Sequence, residues 1–171
     1  MHHRHVLEQD VSIVHITGGT GSARTELTAF DAALAEAGIH NANLIRVSSI
    51  TPPETTVEAS SARTVESAIT PGEFVPAVYA RSQSNVPGER ITAAVAGVSL
   101  REGYGVNVEH HAVNSDTATV EAICRQKLEE LVAIRDTTMK SDPWVHCVET
   151  TVPQTPAAQE WTCAVAAIVY R

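Results

Sequence analysis

The chain has 171 residues, of which 43% are hydrophobic and 19% are charged, and its formal net charge at pH 7 is -8. This length and composition predict one soluble globular domain, spanning residues 1–171, that folds without disulfides or a structural metal. The acidic excess disfavours a nucleic-acid or anionic-membrane partner, because binding phosphates requires a face rich in cations. No run approaches the roughly 18 apolar residues of a membrane span, and no signal peptide is recognisable, so we expect a cytoplasmic protein.

Strands outnumber helices in the predicted order of elements. Strands are expected over residues 11–17, 43–49, 74–82, 90–100, 104–113, 144–152 and 161–170, and two helices are expected from Thr25 to Gly38 and from about Ala118 to Thr137. Residues 18–22, with three glycines, are typical of a flexible loop, and residues 55–70 are expected to form a surface excursion. Runs of strands separated by helices predict an α+β fold with largely antiparallel sheets.

Three common kinds of site are disfavoured by the residues present. The glycine-rich stretch 18–22 matches neither of the phosphate-binding loop patterns, and no lysine follows it. The histidines, among them the N-terminal His2, His3 and His5, show none of the spacings of a metal centre, so no metal is expected. Ser48 and Ser49 lack the flanking glycines of a hydrolase nucleophile elbow.

The segment NANLIRVSSITPP, residues 41–53, is the most informative part of the chain. From the residues alone it is a strand that carries a polar Asn43 and ends in two serines before a proline break. It resembles the processing site of the pyruvoyl-dependent arginine decarboxylases, whose signature is N-x-N-L-I-R-[IV]-S-S-I-x-P-P. The resemblance extends over roughly residues 10–171, and the stretch 55–70 is the least similar part.

The resemblance implies that the chain cuts itself between Ser48 and Ser49. In that reaction the Ser49 hydroxyl attacks the carbonyl carbon of Ser48, with the Asn43 amide stabilising the oxyanion. Elimination then releases chain 1–48 and leaves dehydroalanine at position 49, which loses ammonia to become a covalent pyruvoyl cofactor at the start of chain 49–171. The Ser49-derived ketone would form a Schiff base with L-arginine, and the adjacent carbonyl would accept electrons during the loss of CO2, so that agmatine is the product.

The same resemblance assigns three further residues. Glu109 would be the general acid that protonates the decarboxylated carbon, which requires a carboxyl partly withdrawn from water. The strand residues Val106 and Val108 and the absence of a neighbouring lysine in the sequence favour such an environment. Asp31 would bind the substrate guanidinium through two parallel hydrogen bonds, and Leu27 would line the pocket.

The family also implies a four-layer αββα sandwich and a homotrimer, often paired into a hexamer, with active sites between subunits. Two departures concern the pocket, since His40 and Ala80 stand where the family usually has glycine. Two alternatives stay open from the sequence. One is a related pyruvoyl decarboxylase of another amino acid, such as histidine, and the other is a non-enzymic trimeric binding protein that keeps the bond between Ser48 and Ser49 intact.

Overall fold

The fold is of the predicted α+β class, and it is built on two β-sheets with mostly antiparallel pairing. The computed structural model describes residues 10–154 and 160–171, so the N-terminal histidines considered as metal ligands lie outside the described residues. The strands are β1 (Ile13–Ala23), β2 (Asn43–Arg46), β3 (Ile50–Thr51), β4 (Thr56–Ala59), β5 (Phe74–Ser84), β6 (Arg90–Ser99), β7 (Gly105–Val113), β8 (Trp144–Thr151) and β9 (Trp161–Tyr170), and the helices are α1 (Glu26–Glu36), α2 (Ala62–Ser67) and α3 (Thr117–Ile134). The first sheet has the order β2-β5-β9-β1-β4 and the second the order β3-β7-β6-β8. The pairs β1–β4 and β2–β5 are parallel.

Three apolar cores hold the elements together. The first lies between the sheets and includes Ile16 of β1 and Val95 of β6. The second joins α1 to the first sheet, and the third joins α3 to the second sheet through residues such as Leu128. Burial of one Val, Leu or Ile side chain contributes about 1.5–3 kcal/mol, which exceeds the ~0–1 kcal/mol of an exposed ion pair, so these cores dominate the stability of the fold.

The predicted ends of α1 are confirmed by local hydrogen bonds, whereas α3 ends at Ile134, before the predicted Thr137. Thr25 caps α1 by accepting a hydrogen bond from the backbone N–H of Thr28, and Gly38 follows the helix with φ of 77°. The N–H of Ile39 donates to the carbonyl of Leu34 at 2.9 Å, which completes the turn that a glycine in the left-handed region permits. None of the helices within residues 10–154 and 160–171 is long and apolar enough to cross a membrane.

The prediction of a loop at residues 18–22 is wrong, because β1 continues through these residues to Ala23 and pairs with β9 along its length. The glycines allow α1 to lie against the strand. A Cβ on Gly19 would stand 2.6 Å from the backbone oxygen of Ala33, and one on Gly21 would stand 2.4 Å from the backbone nitrogen of Ala33. The glycines therefore serve helix–sheet contact rather than flexibility.

Two other sequence predictions need correction. Residues 55–70 are more regular than expected, since β4 extends the first sheet beside β1 and α2 follows it. The strand predicted over 43–49 ends at Arg46, after which the chain leaves the first sheet and enters the second at β3. Residues 47–49 form this passage between the sheets, and we call them the crossing segment.

Candidate active site

The crossing segment brings the predicted cleavage pair next to the predicted general acid. Ser48, Ser49 and Glu109 line one open cavity of about 370 Å³. The remaining lining residues come from β7 and from α3 and the residue that ends it: Asn107, Val108, Lys127, Leu131 and Arg135. Glu109 is half-buried on β7, and Ser49 is half-buried immediately before β3. This cavity is hereafter the serine cavity.

Ser49 has an unusual backbone conformation, with φ of 62°. A non-glycine residue in this left-handed region costs about 1–2 kcal/mol, so the structure around it must enforce the conformation. The angle φ is the rotation about the N–Cα bond of Ser49, and it sets where Cβ lies relative to the carbonyl carbon of Ser48. At a common negative φ near -60° the two carbons are anti, whereas near +60° they are gauche, on the same side of the bond. The strained conformation thus turns the Ser49 side chain toward the predicted scissile carbonyl.

Asn107 holds the crossing segment in place. Its backbone N–H donates to the carbonyl of Ser49 at 2.9 Å, and its Nδ2 donates to Thr51 Oγ1 and to the Tyr170 hydroxyl, both at 2.8 Å. Asn107 is only 2% exposed, and burial raises the pKa of the Tyr170 hydroxyl, which therefore stays neutral. Sequence reasoning missed Asn107, although an asparagine among the valines of a predicted core strand was a detectable signal.

The absence of a neighbouring lysine, inferred from the sequence around Glu109, is wrong in the fold. Lys127 of α3 lines the serine cavity, and its ammonium donates to the backbone carbonyl of Glu109 at 2.9 Å. The same ammonium lies 3.3 Å from Nδ1 of His110. Burial, together with the charge of Lys127, lowers the pKa of His110. Lys127 therefore ties α3 to β7 at the position of the predicted acid.

Asn43 lies in a different cavity from Ser49. This second cavity, of about 430 Å³, is open and mainly apolar, and its walls come from α1, β2 and β5 with the residues Phe30, Leu34, Ala42, Asn43, Leu44, Ile45, Phe74 and Tyr79. The Nδ2 of Asn43 donates to the carbonyl of Gly72 at 2.8 Å. We call it the α1 cavity. Within one chain, the structure does not bring Asn43 into the serine cavity.

The two predicted substrate-binding residues are exposed on α1. Leu27 is 72% exposed, an unusual position for a large apolar side chain, and Asp31 is also exposed on the following turn. Neither lines the serine cavity or the α1 cavity. His40 lines neither cavity, and its half-buried ring leaves Nδ1 buried without a hydrogen-bond partner among the described residues.

The cysteines and the acidic residues offer no competing centre in the part of the chain that the structure describes. All three cysteines are free thiols, as the sequence predicts, and burial raises the pKa of Cys147 to about 11 and that of Cys163 to about 12. Such thiols are poor nucleophiles at neutral pH. Within residues 10–154 and 160–171, no three His, Cys, Asp or Glu side chains are grouped to hold a metal ion.

Comparison with known proteins identifies the class of this chain. A family model described as pyruvoyl-dependent arginine decarboxylase matches residues 13–171. A curated relative of that name from Methanopyrus kandleri is 32% identical over 155 residues, which cover 91% of this chain and 93% of the relative. Another from Methanocella arvoryzae is 30% identical over 160 residues, covering 92% and 93%, and one from Halobacterium salinarum is 45% identical over 76 residues, covering 44% and 46%.

These matches define a class of enzymes whose prosthetic group is pyruvoyl. The chain belongs to the pyruvoyl-dependent arginine decarboxylase family, as the resemblance of residues 41–53 predicts.

Proposed function

We propose that this protein is an arginine decarboxylase that makes its pyruvoyl group from its own Ser49 and converts L-arginine to agmatine and CO2. One observation carries the proposal: Ser48, a strained Ser49 and Glu109 line a single cavity. The relatives' name supplies the substrate, arginine, and the type of reaction. The proposed cut divides one domain, residues 1–171, into chains 1–48 and 49–171.

The self-cleavage follows from the conformation of Ser49. With Cβ gauche to the Ser48 carbonyl carbon, the Ser49 hydroxyl can close a five-membered ring on that carbon, so that a C–O bond forms and the C–N bond breaks. Loss of the Ser49 Cα proton then breaks the Cβ–Oγ bond and releases Ser48 as a carboxylate. Hydrolysis of the remaining dehydroalanine releases ammonia and leaves the pyruvoyl group on chain 49–171. The Asn107 N–H at the Ser49 carbonyl fixes the backbone throughout these steps.

In turnover, the pyruvoyl group supplies an electron-accepting carbonyl next to the substrate amine. The residues of this chain position the reaction and move the proton. Glu109 is half-buried in the same cavity, so its carboxyl can deliver a proton to the carbon that loses CO2. Lys127 fixes the backbone of Glu109, and Val108 and Leu131 supply the apolar part of the cavity wall.

The substrate guanidinium needs a carboxylate partner. Among the described residues that line the serine cavity of one chain, the carboxylate is Glu109, which already serves as the acid. We assign this role to Asp31, with Leu27 packing against the substrate, and both belong to a neighbouring subunit. The high exposure of Leu27 supports this assignment, because an apolar side chain on a helix surface is stabilised by burial in an interface. Asp31 can bind a guanidinium through two parallel hydrogen bonds.

The assembly that we propose is a trimer, alone or paired into a hexamer, of subunits with four layers in the order α1, first sheet, second sheet, α3. The three apolar cores between successive elements support the four layers.

An extended strand advances about 3.3 Å per residue, so Asn43 stands on the order of 10 Å before the end of β2 at Arg46, and Ser49 is three residues further on. Because Asn43 lines the α1 cavity and Ser49 lines the serine cavity of the same chain, we assign Asn43 to the oxyanion of a neighbour's Ser49, in the half of the site that includes α1.

Denaturing mass spectrometry of purified mature protein tests the proposal. We expect two chains that correspond to residues 1–48 and 49–171, the second with a blocked pyruvoyl end. Ser49→Ala should give one uncut chain near 18.3 kDa, whereas Ser67→Ala, a matched change on α2, should be cut normally. An uncut wild-type chain would favour the binding-protein alternative instead.

Substrate choice is tested on the processed enzyme with arginine and histidine in parallel. CO2 release from arginine alone supports the proposal. Asp31→Ala should abolish arginine turnover, and Asp142→Ala, an exposed carboxylate elsewhere, should not. Turnover of histidine that survives Asp31→Ala would identify the alternative decarboxylase.

A further inference from the structure

A third cavity, rich in arginine, borders the crossing segment. It has about 370 Å³ and is lined by Arg46, Tyr79, Arg81 and His111. Arg46 ends β2, and Tyr79 and Arg81 lie two residues apart on β5. His111 lies on β7, so both sheets contribute to the walls of the cavity. Its lining is mainly polar and includes no carboxylate among the described residues. We call it the arginine cavity.

Both guanidinium groups are held in place by aromatic rings. Arg46 lies 4.6 Å from the centre of the Tyr79 ring and donates through Nη2 to the Tyr79 carbonyl at 2.6 Å. Arg81 lies 4.8 Å from the centre of the Phe30 ring. Stacking of this kind orients the planar fork of donors before any ligand arrives.

The positive charge of this cavity is only weakly compensated. Glu26 approaches Arg81 at 3.8 Å, but both side chains are about half exposed, so water screens the pair and most guanidinium donors stay available. The chain carries 20 acidic residues against 12 lysines and arginines, so two arginines around one cavity stand out. Two neighbouring cations repel each other, and an anion bound between them offsets this repulsion.

We propose that the arginine cavity binds a carboxylate or an oxyanion of similar size. Each guanidinium group carries a pair of parallel N–H donors, and such a pair matches two oxygens bonded to the same carbon or sulfur atom of an anion. The Tyr79 hydroxyl and the His111 ring can add further hydrogen bonds.

The anion has two possible sources with the same chemistry. One is free in solution. The other is the carboxylate that self-cleavage creates at Ser48, only two residues after Arg46, and this second source rests on the proposed function. Before the cut, Ser48 is held between Val47, whose N–H donates to the carbonyl of Ala77 at 3.2 Å, and Ser49. After the cut the new terminus is no longer tied to Ser49 and can turn toward the Arg46 guanidinium two residues before it.

The existence of the site is tested first on the uncut Ser49→Ala chain, which has no new terminus. Sulfate and acetate are titrated at constant ionic strength while NMR follows the side-chain Nε–H signals of Arg46 and Arg81. We expect saturable shifts at both residues. Arg46→Gln and Arg81→Gln should each weaken sulfate binding by about tenfold or more, since each removes a pair of charge-assisted hydrogen bonds. Arg63→Gln on α2, with the same charge change, should leave binding unchanged.

Shifts that do not saturate, or that map away from the arginine cavity, would overturn the proposal, and so would an equal loss of binding in Arg63→Gln. If an Arg46 variant fails to fold, the map of shifts on the chain with native arginines decides the question alone.

The processed wild-type protein separates the two sources. Sulfate binding at least tenfold weaker than in the uncut chain means that the Ser48 carboxylate already occupies the cavity. Equal binding in both forms means that the ligand is a free anion and excludes the Ser48 carboxylate. Mass spectrometry of the same sample shows whether the chain is cut, so a failure of processing is distinguished from a cavity that binds no anion.

Discussion

At the scale of single residues, Ser49 has a backbone conformation that places its Cβ on the same side as the carbonyl carbon of Ser48. The left-handed φ of 62° is maintained by contacts on the C-terminal side, where Asn107 binds the Ser49 carbonyl and the Thr51 hydroxyl. In the self-cleavage that we propose, this strain, introduced by folding, would offset part of the barrier.

The strain at Ser49 predicts which of two uncut variants is the more stable. Ser49→Ala and Ser49→Gly both lack the hydroxyl, but glycine adopts a positive φ without the Cβ clash, so Ser49→Gly should be more stable by about 0.5–1 kcal/mol. The free energy of unfolding in urea measures the difference. Ser22 in the extended strand β1 is the control, because there glycine should be less stable than alanine by a similar amount. An alanine variant at position 49 as stable as the glycine variant would contradict the strained backbone.

Glu109 is the residue on which turnover should depend most after processing. We expect Glu109→Gln to be cut normally, since the amide keeps the shape of the side chain, and to lose decarboxylation by about 100-fold or more because it cannot donate the proton. Mass spectrometry and CO2 release give the two readouts, with Glu129→Gln on the exposed face of α3 as the control. Full turnover in Glu109→Gln would exclude it as the general acid.

At the scale of elements, local signals in the sequence predicted what local contacts determine. The Thr25 cap, the glycine stop at Gly38 and the long helix α3 depend on residues a few positions apart, and all were predicted. The alternation of apolar residues also located most long strands. Asp116 caps α3 by accepting a hydrogen bond from the Thr119 N–H at 2.7 Å.

Distant contacts determine what the sequence did not predict. From the sequence, Gly19 and Gly21 are typical of a loop. Their actual role is to let α1 approach β1, and it depends on Ala33, more than ten residues later. The approach of Lys127 to Glu109 depends on α3 docking on β7. The motif at residues 41–53 predicts roles for Ser48, Ser49 and Asn43 by resemblance, but only the fold shows that Asn43 and Ser49 line different cavities within one chain.

The role of the glycines can be tested by adding one methyl group. Gly21→Ala should lower the free energy of unfolding by about 1–3 kcal/mol, because the new Cβ would meet the backbone of Ala33 and Ala32, which cannot rotate away. Ala at Gly72 gives the comparison, since its Cβ meets no heavy atom within 4 Å and the cost is only that of a positive φ, roughly 1 kcal/mol. A Gly21→Ala protein as stable as wild type would show that α1 is free to move off β1.

At the scale of the whole molecule, one chain carries two incomplete halves of the proposed site. The serine cavity holds the bond to be cut and the acid, but no free carboxylate for a guanidinium. The α1 surface holds Asp31, the exposed Leu27 and the open apolar α1 cavity beside them. Each half supplies what the other lacks, so a rotationally symmetric ring of subunits would complete one site at every interface.

This arrangement predicts that two inactive variants restore activity when mixed. Asp31→Ala and Glu109→Gln are each expected to be inactive alone. In trimers formed from equal amounts of both, a site is intact when its Glu109 comes from an Asp31→Ala subunit and its Asp31 from a Glu109→Gln subunit, which gives about a quarter of the wild-type sites. Co-expression followed by the CO2 assay measures this fraction, and mixing after separate assembly without exchange should restore none. If both residues acted within one subunit, no mixture would regain activity, and the shared site would be excluded.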